Sequence, residues 1–143
     1  MLISTHFDAD LGLLVSRHGE EFVGAEGQLT LLDFAERIGR LPQYWILDVR
    51  EVVSASFKDS DTANVSTTDR MLSSINGRGA YRLTLAAIVP PGEAHPIYQR
   101  LKKMEKTTQT MLARNKANRV VMVRHWREAL ETCGLPDSVR QPY

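Results

Sequence analysis

Three short runs of apolar and partly β-branched residues decide what this chain can fold into: Tyr44-Trp45-Ile46-Leu47, Leu83-Thr84-Leu85-Ala86-Ala87-Ile88-Val89 and Val120-Val121-Met122-Val123. Each is too short for a buried helix, and none alternates with polar residues, the pattern of strands covered on both faces. Between them the apolar spacing changes to three and four residues. Strands that alternate with helices in this way form a parallel sheet through crossover connections.

The remaining segments fill in around that core. Leu11 to Ser16 and Glu20 to Gly24, broken at Gly19, read as an antiparallel hairpin. Leu31, Phe34, Ala35, Ile38 and Leu41 keep a helical period that must stop before Pro42, with Thr30 and Asp33 set out as a variant capping box. A connection over residues 51–61, anchored by Phe57, leads to a helix through Met71, Leu72 and Ile75 that Ser60 or Asp61 would cap. The longest helical pattern runs through Ile97, Leu101, Met104, Thr108, Met111 and Leu112. A last helix through Trp126, Ala129 and Leu130 closes at Gly134-Leu135-Pro136. Residues 136–143 are expected to fray.

The expectation is therefore an α/β fold. A chain of 143 residues makes one domain over residues 1–143, with a mixed sheet of about five strands and about four helices packed mainly on one face. The sheet should have an N-terminal antiparallel hairpin and a parallel core. Its strand ends near Asp48 to Glu51, Pro90 to His95 and Arg124 to His125 should gather along one rim, where open α/β sheets bind ligands.

Charge and chemistry narrow the function. The longest apolar run, Leu83 to Pro91, has about nine residues against the roughly 20 that a bilayer crossing needs. The start, MLISTHFDAD, lacks the basic and apolar pattern of a secretory signal, so a cytoplasmic location is expected. The lone Cys133 can neither form an internal disulfide nor build a thiolate zinc cage. His6, His18, His95 and His125 show no metal-ligand spacing, no Gly-x-Ser-x-Gly elbow is present, and no glycine-rich phosphate loop follows a strand. No catalytic residue, metal or cofactor is expected. Residues 1–61 hold 11 acidic and 5 basic side chains, and the remainder 6 acidic and 13 basic. The basic excess between Arg100 and Arg127 lacks interleaved aromatics, so it reads as a solvated helix rather than a nucleic-acid surface.

The layout resembles a known family. Gly12-Leu13-Leu14 with a following Gly24 or Gly27, a helix starting at Leu29-Thr30, Ile46-Leu47-Asp48-Val49-Arg50, Ala86-Ala87-Ile88-Val89, and Val120-Val121-Met122-Val123 leading into Glu128-Ala129-Leu130 together resemble the small bacterial STAS/Sec14-like domains, often described as SpoIIAA-like. The likeness spans about Phe7 to Leu135. It implies a non-enzymatic binding or regulatory module that docks a regulatory protein or holds a lipid-like ligand. In the protein-docking branch, Phe57-Lys58-Asp59-Ser60-Asp61 occupies the place of a phosphorylatable helix start, although Asp61 stands where that branch carries its modified serine. In the lipid branch, the helix with Met104 and Met111 would cover an apolar groove. The binding set expected from the resemblance is thus Asp48, Arg50, Phe57, Asp59, Ser60, Asp61, Met104 and Met111. Two alternatives stay open: a small enzyme using Asp48, Glu51, Asp59 and Asp61 with His95 or His125, and a homo-oligomer in which acidic and basic halves meet.

Overall fold

The computed structural model describes residues 1–23, 26–56, 82–103 and 118–143. Its centre is a five-stranded sheet built from β1 (Leu2–Asp8), β2 (Leu13–Val23), β3 (Tyr44–Ser56), β4 (Leu83–Ile88) and β5 (Asn118–Val123), ordered β1-β2-β3-β4-β5. The pair β1 and β2 is antiparallel, and the other three pairs are parallel. The three apolar runs lie side by side as expected: Leu47 is the neighbour of Ala87, and Ala86 of Val121. Three helices are described: α1 (Glu26–Ile38), α2 (residues 96–103) and α3 (Trp126–Cys133). The fourth expected helix, through Met71, Leu72 and Ile75, lies outside the described residues.

The hairpin forms one element earlier than its sequence pattern indicated. Leu2–Asp8 is itself a strand, and residues 13–23 run as a single strand through Gly19. The turn is built by Asp8, whose Oδ1 accepts the backbone N–H groups of Asp10 and Leu11 at 3.0 and 3.1 Å, an arrangement that Asp favours in turns. Gly12 then takes φ +66°. A Cβ there would sit 3.3 Å from that of Gln43, and the Gly12 carbonyl accepts from Gln43 and Tyr44 N–H, so the turn also seats the start of β3. Gly19 does not interrupt β2. It makes room for Ile3, whose Cδ1 lies 2.6 Å from where a Cβ would be.

The strand β3 is longer than expected. Residues 51–56, read from the sequence as a loop, continue the strand and pair with residues 19–23 of β2. Because β4 pairs with β3 only as far as Asp48, this two-stranded ribbon projects about 20 Å beyond the last β3–β4 pair. Where it begins, Arg17 faces Asp48 but Gly19 faces Glu51, so β3 holds one extra residue. Such a bulge re-aims side chains, and here it lies among Asp48, Arg50 and Glu51.

Helix α1 begins at Glu26, ahead of the predicted capping box. Thr30 is not a cap but an interior residue whose hydroxyl donates back to the Glu26 carbonyl at 2.8 Å. The other end of the chain matches its pattern: Gly134 at φ +68° closes α3, with Leu135 N–H donating to the Leu130 carbonyl and Gly134 N–H to that of Glu131.

Two of the three described helices share one face of the sheet, and the third takes the other. Helices α1 and α2 bury Phe34, Leu31, Ile97 and Leu101 against Leu14, Trp45, Leu47 and Leu85, whereas α3 buries Ala129, Leu130 and Cys133 against Leu13, Val15, Ile46, Ala86 and Ile88 on the opposite side. Right-handed crossovers that always step in one direction place their helices on one face. A helix after the last strand has no strand to return to, and here it covers the apolar face left open. Residues 136–143 also lie on this second face instead of fraying: Val139 and Tyr143 pack against the same core, and Val139 is held through its backbone by Trp126.

Removing core volume should be costly in proportion to burial. Ile46 has no exposed surface, so Ile46→Ala should lower the unfolding free energy by roughly 2–5 kcal/mol in urea titrations. Val53 is 78% exposed on the ribbon, and Val53→Ala should change it by less than about 0.5 kcal/mol.

Candidate functional site

On the second face, between β1, α3 and the C-terminal tail, lies a cleft of about 410 Å³. Its apolar walls are Ala9, Leu13, Val15, Trp126, Val139 and Pro142, with His6, Asp8 and Arg140 as the polar members; Phe7 borders it, but its ring packs on Phe34 on the first face. Leu13 and Val15 reach this face because β2 alternates, sending Leu14, Ser16 and His18 to the helix side. The tail wall is fixed at two points. Trp126 Nε1 donates to the Val139 carbonyl at 3.0 Å, and Tyr143 donates its hydroxyl to Asp48 Oδ2 at 2.6 Å.

Asp48 and Arg50, both expected at the rim, meet two residues apart along β3. Asp48 is 4% exposed and accepts four hydrogen bonds. Oδ1 takes the Arg50 backbone N–H at 3.1 Å and Nε at 3.0 Å; Oδ2 takes Arg50 Nη2 at 2.7 Å and the Tyr143 hydroxyl. Arg50 Nη2 also donates to Gln141 Oε1 at 2.9 Å. Burial alone would push the Asp48 carboxyl up, but the Arg50 guanidinium and the Tyr143 hydroxyl outweigh it and hold the carboxyl below its usual range. Tyr143 is pushed up by burial and by Asp48. Beside this cluster Arg17 grips Glu51 through both carboxylate oxygens at 2.8 to 3.1 Å, and its guanidinium lies 4.9 Å from the Tyr143 ring centre. His6 meets the same ring, linking the cluster to the cleft.

The other candidates fall elsewhere. Phe57, Asp59, Ser60, Asp61, Met104 and Met111 lie outside the described residues. The helix beginning at residue 96 packs on the opposite face from the cleft, so it does not cover it. His95 caps that helix: its Nδ1 accepts the Ile97 N–H at 3.2 Å, and Nε2 donates to the Val52 carbonyl at 3.1 Å. His125 is exposed at the start of α3. The described rim acids Asp48 and Glu51 are therefore bound to arginines and do not converge on His95 or His125. Cys133 is buried, which pushes its thiol up to about 11 and leaves it unreactive.

A second polar chain escaped the sequence reading. On the helix side, Trp45 Nε1 donates to Ser16 Oγ at 2.9 Å, Ser16 meets His18 Nε2 at 3.1 Å, and His18 Nδ1 meets Glu26 Oε2 at 2.5 Å. The order is that of a serine, histidine and acid relay. Ser16 and His18 have no exposed surface, however, and the indole N–H occupies the serine oxygen, so the chain serves to tie α1 to the sheet. Burial lowers the His18 pKa despite Glu26, keeping a neutral ring. The signal was present: Ser16 and His18 stand two apart within a strand, on the face shared with Leu14.

Among the described residues, no three His, Cys, Asp or Glu side chains gather as metal ligands, and no helix is long and apolar enough to cross a membrane. Comparison of the chain with models of known families, with curated proteins and with solved structures finds no match.

Tyr143→Phe should cost roughly 1–2 kcal/mol at neutral pH, because a donor to a buried charge is lost. Asp48 is held below its unfolded pKa, so its stabilisation is present above the ordinary carboxylate range near 4 and disappears as pH falls through the lower folded value. In the variant the folded pKa rises, and acid unfolding followed by circular dichroism should begin at a higher pH than in the wild type.

Proposed function

We propose that this chain is a non-enzymatic binding module of the STAS/Sec14-like kind that holds a small, lipid-like apolar ligand in the cleft between β1, α3 and the tail. The observation that carries the reading is the cleft itself: about 410 Å³ against the sheet, lined mainly by apolar residues with His6, Asp8 and Arg140 as its polar positions. That volume and balance are typical of small-molecule sites.

A binding role also fits the state of the polar groups. Asp48 is saturated by Arg50 and Tyr143, and Glu51 is held by Arg17, so neither is poised to move a proton. Their effect is to position the tail as a wall. Ligand affinity then comes from apolar burial against Trp126, Val139 and their neighbours, with Arg140 supplying a cation for an acidic head group.

Titration with decanoate, followed by calorimetry and by tryptophan fluorescence, tests this. Binding in the micromolar range is expected, with a blue shift of the Trp126 emission. Val139→Trp, which fills the cleft, should weaken binding at least tenfold, about 1.4 kcal/mol, while leaving the circular dichroism spectrum unchanged. The absence of heat and of any spectral change with decanoate, together with no retained small molecule in native mass spectrometry of protein from its own host, would remove the ligand reading.

A further inference from the structure

The strand β1 is an edge of the sheet: it pairs with β2, and among the described residues no strand lies on its other side. An edge of this kind offers unpaired N–H and C=O groups, which proteins guard with Lys, Pro, inward charges or bulges. Of these devices β1 has only the bulge at Ile3, between the Leu2 and Ser4 pairings; Ser4–Asp8 continues in regular register. Met1, Leu2 and Ile3 are 56%, 41% and 47% exposed, three successive apolar side chains left in water at the start of the strand. The opposite edge, β5, carries the exposed Arg119 and is better guarded.

We propose that β1 pairs antiparallel with β1 of a second copy of this chain, forming a continuous ten-stranded sheet across a two-fold axis. The sequence of the edge is self-complementary. Its one charged residue, Asp8, stands at the end, so antiparallel pairing centred near Thr5 or His6 holds the two Asp8 side chains at least roughly 14 Å apart along the strands. That exceeds the Debye length of about 8 Å at physiological salt. Parallel pairing would instead set the two carboxylates together. The charge close to this end is balanced by Arg40, whose guanidinium lies 5.3 Å from the Phe7 ring centre and donates to the Ala9 carbonyl. An isologous contact of this kind closes on itself, whereas acidic surface meeting the basic half of the next copy would leave an open chain of subunits.

Multi-angle light scattering tests the pairing. The wild type is expected at twice the mass of one chain over a wide concentration range, in low and in high salt, because backbone hydrogen bonds and apolar contacts carry the interface. Thr5→Lys places two ammonium groups within roughly 7 Å across the axis and should give a monomer. Val53→Lys, the same charge change at a side chain 78% exposed on the ribbon, should remain a dimer. In hydrogen exchange on the wild type, amides of residues 2–8 should gain protection as concentration rises. A wild type that is monomeric throughout, a dimer dissolved by salt, or exchange at residues 2–8 independent of concentration would overturn the proposal.

Discussion

The structure depends on one constraint: the start of β3 must be kept from water on both of its faces. Trp45, Leu47 and Val49 point to one side and Ile46 and Asp48 to the other, and all five are buried. Helices α1 and α2 shield the first side. The second side would be open were it not for α3 and the tail, which lay Leu130, Val139 and Tyr143 across Ile46, Ile88 and their neighbours. Every feature of the candidate site follows from how this second cover is fastened.

The fastening is polar and lies where β2 and β3 fall out of register. The extra residue in β3 lies among Asp48, Arg50 and Glu51, and there the carboxylate of Asp48 finds Arg50 and the Tyr143 hydroxyl. A buried carboxylate needs such partners, since an unpaired one would take up a proton instead. On the other side of the same strand pair, Ser16, His18 and Glu26 tie α1 in a similar way. The two chains brace opposite layers through adjacent residues of β2. Between the braced tail and β1 a gap remains, and that gap is the cleft.

Much of the sheet was legible from the residues. The runs at Leu47, Ala87 and Val121 are neighbours because uninterrupted apolar strands have few other stable arrangements. Gly134-Leu135-Pro136 marked its helix end correctly, and the pairing of Asp48 with Arg50 lay within two residues. The errors share a cause. Gly19 looked like a break because period two is lost there, yet the loss records Ile3 lying across the glycine, a contact between distant residues. Residues 51–56 looked like a loop because a ribbon without a third strand buries little. Two of the three described helices share a face, as expected, and α3 supplies the cover that the apolar runs require on the other side. The tail was assigned to fraying because nothing local reveals that Tyr143 meets a carboxylate 95 positions earlier.

Both the second cover and the cleft depend on the tail lying against the sheet. A nuclear Overhauser spectrum of the protein in solution tests this. Cross-peaks between the Tyr143 ring and His6, and between the Trp126 indole and Val139, are predicted, with dispersed shifts over residues 136–143. Random-coil shifts for those residues, with contacts only to sequence neighbours, would contradict it.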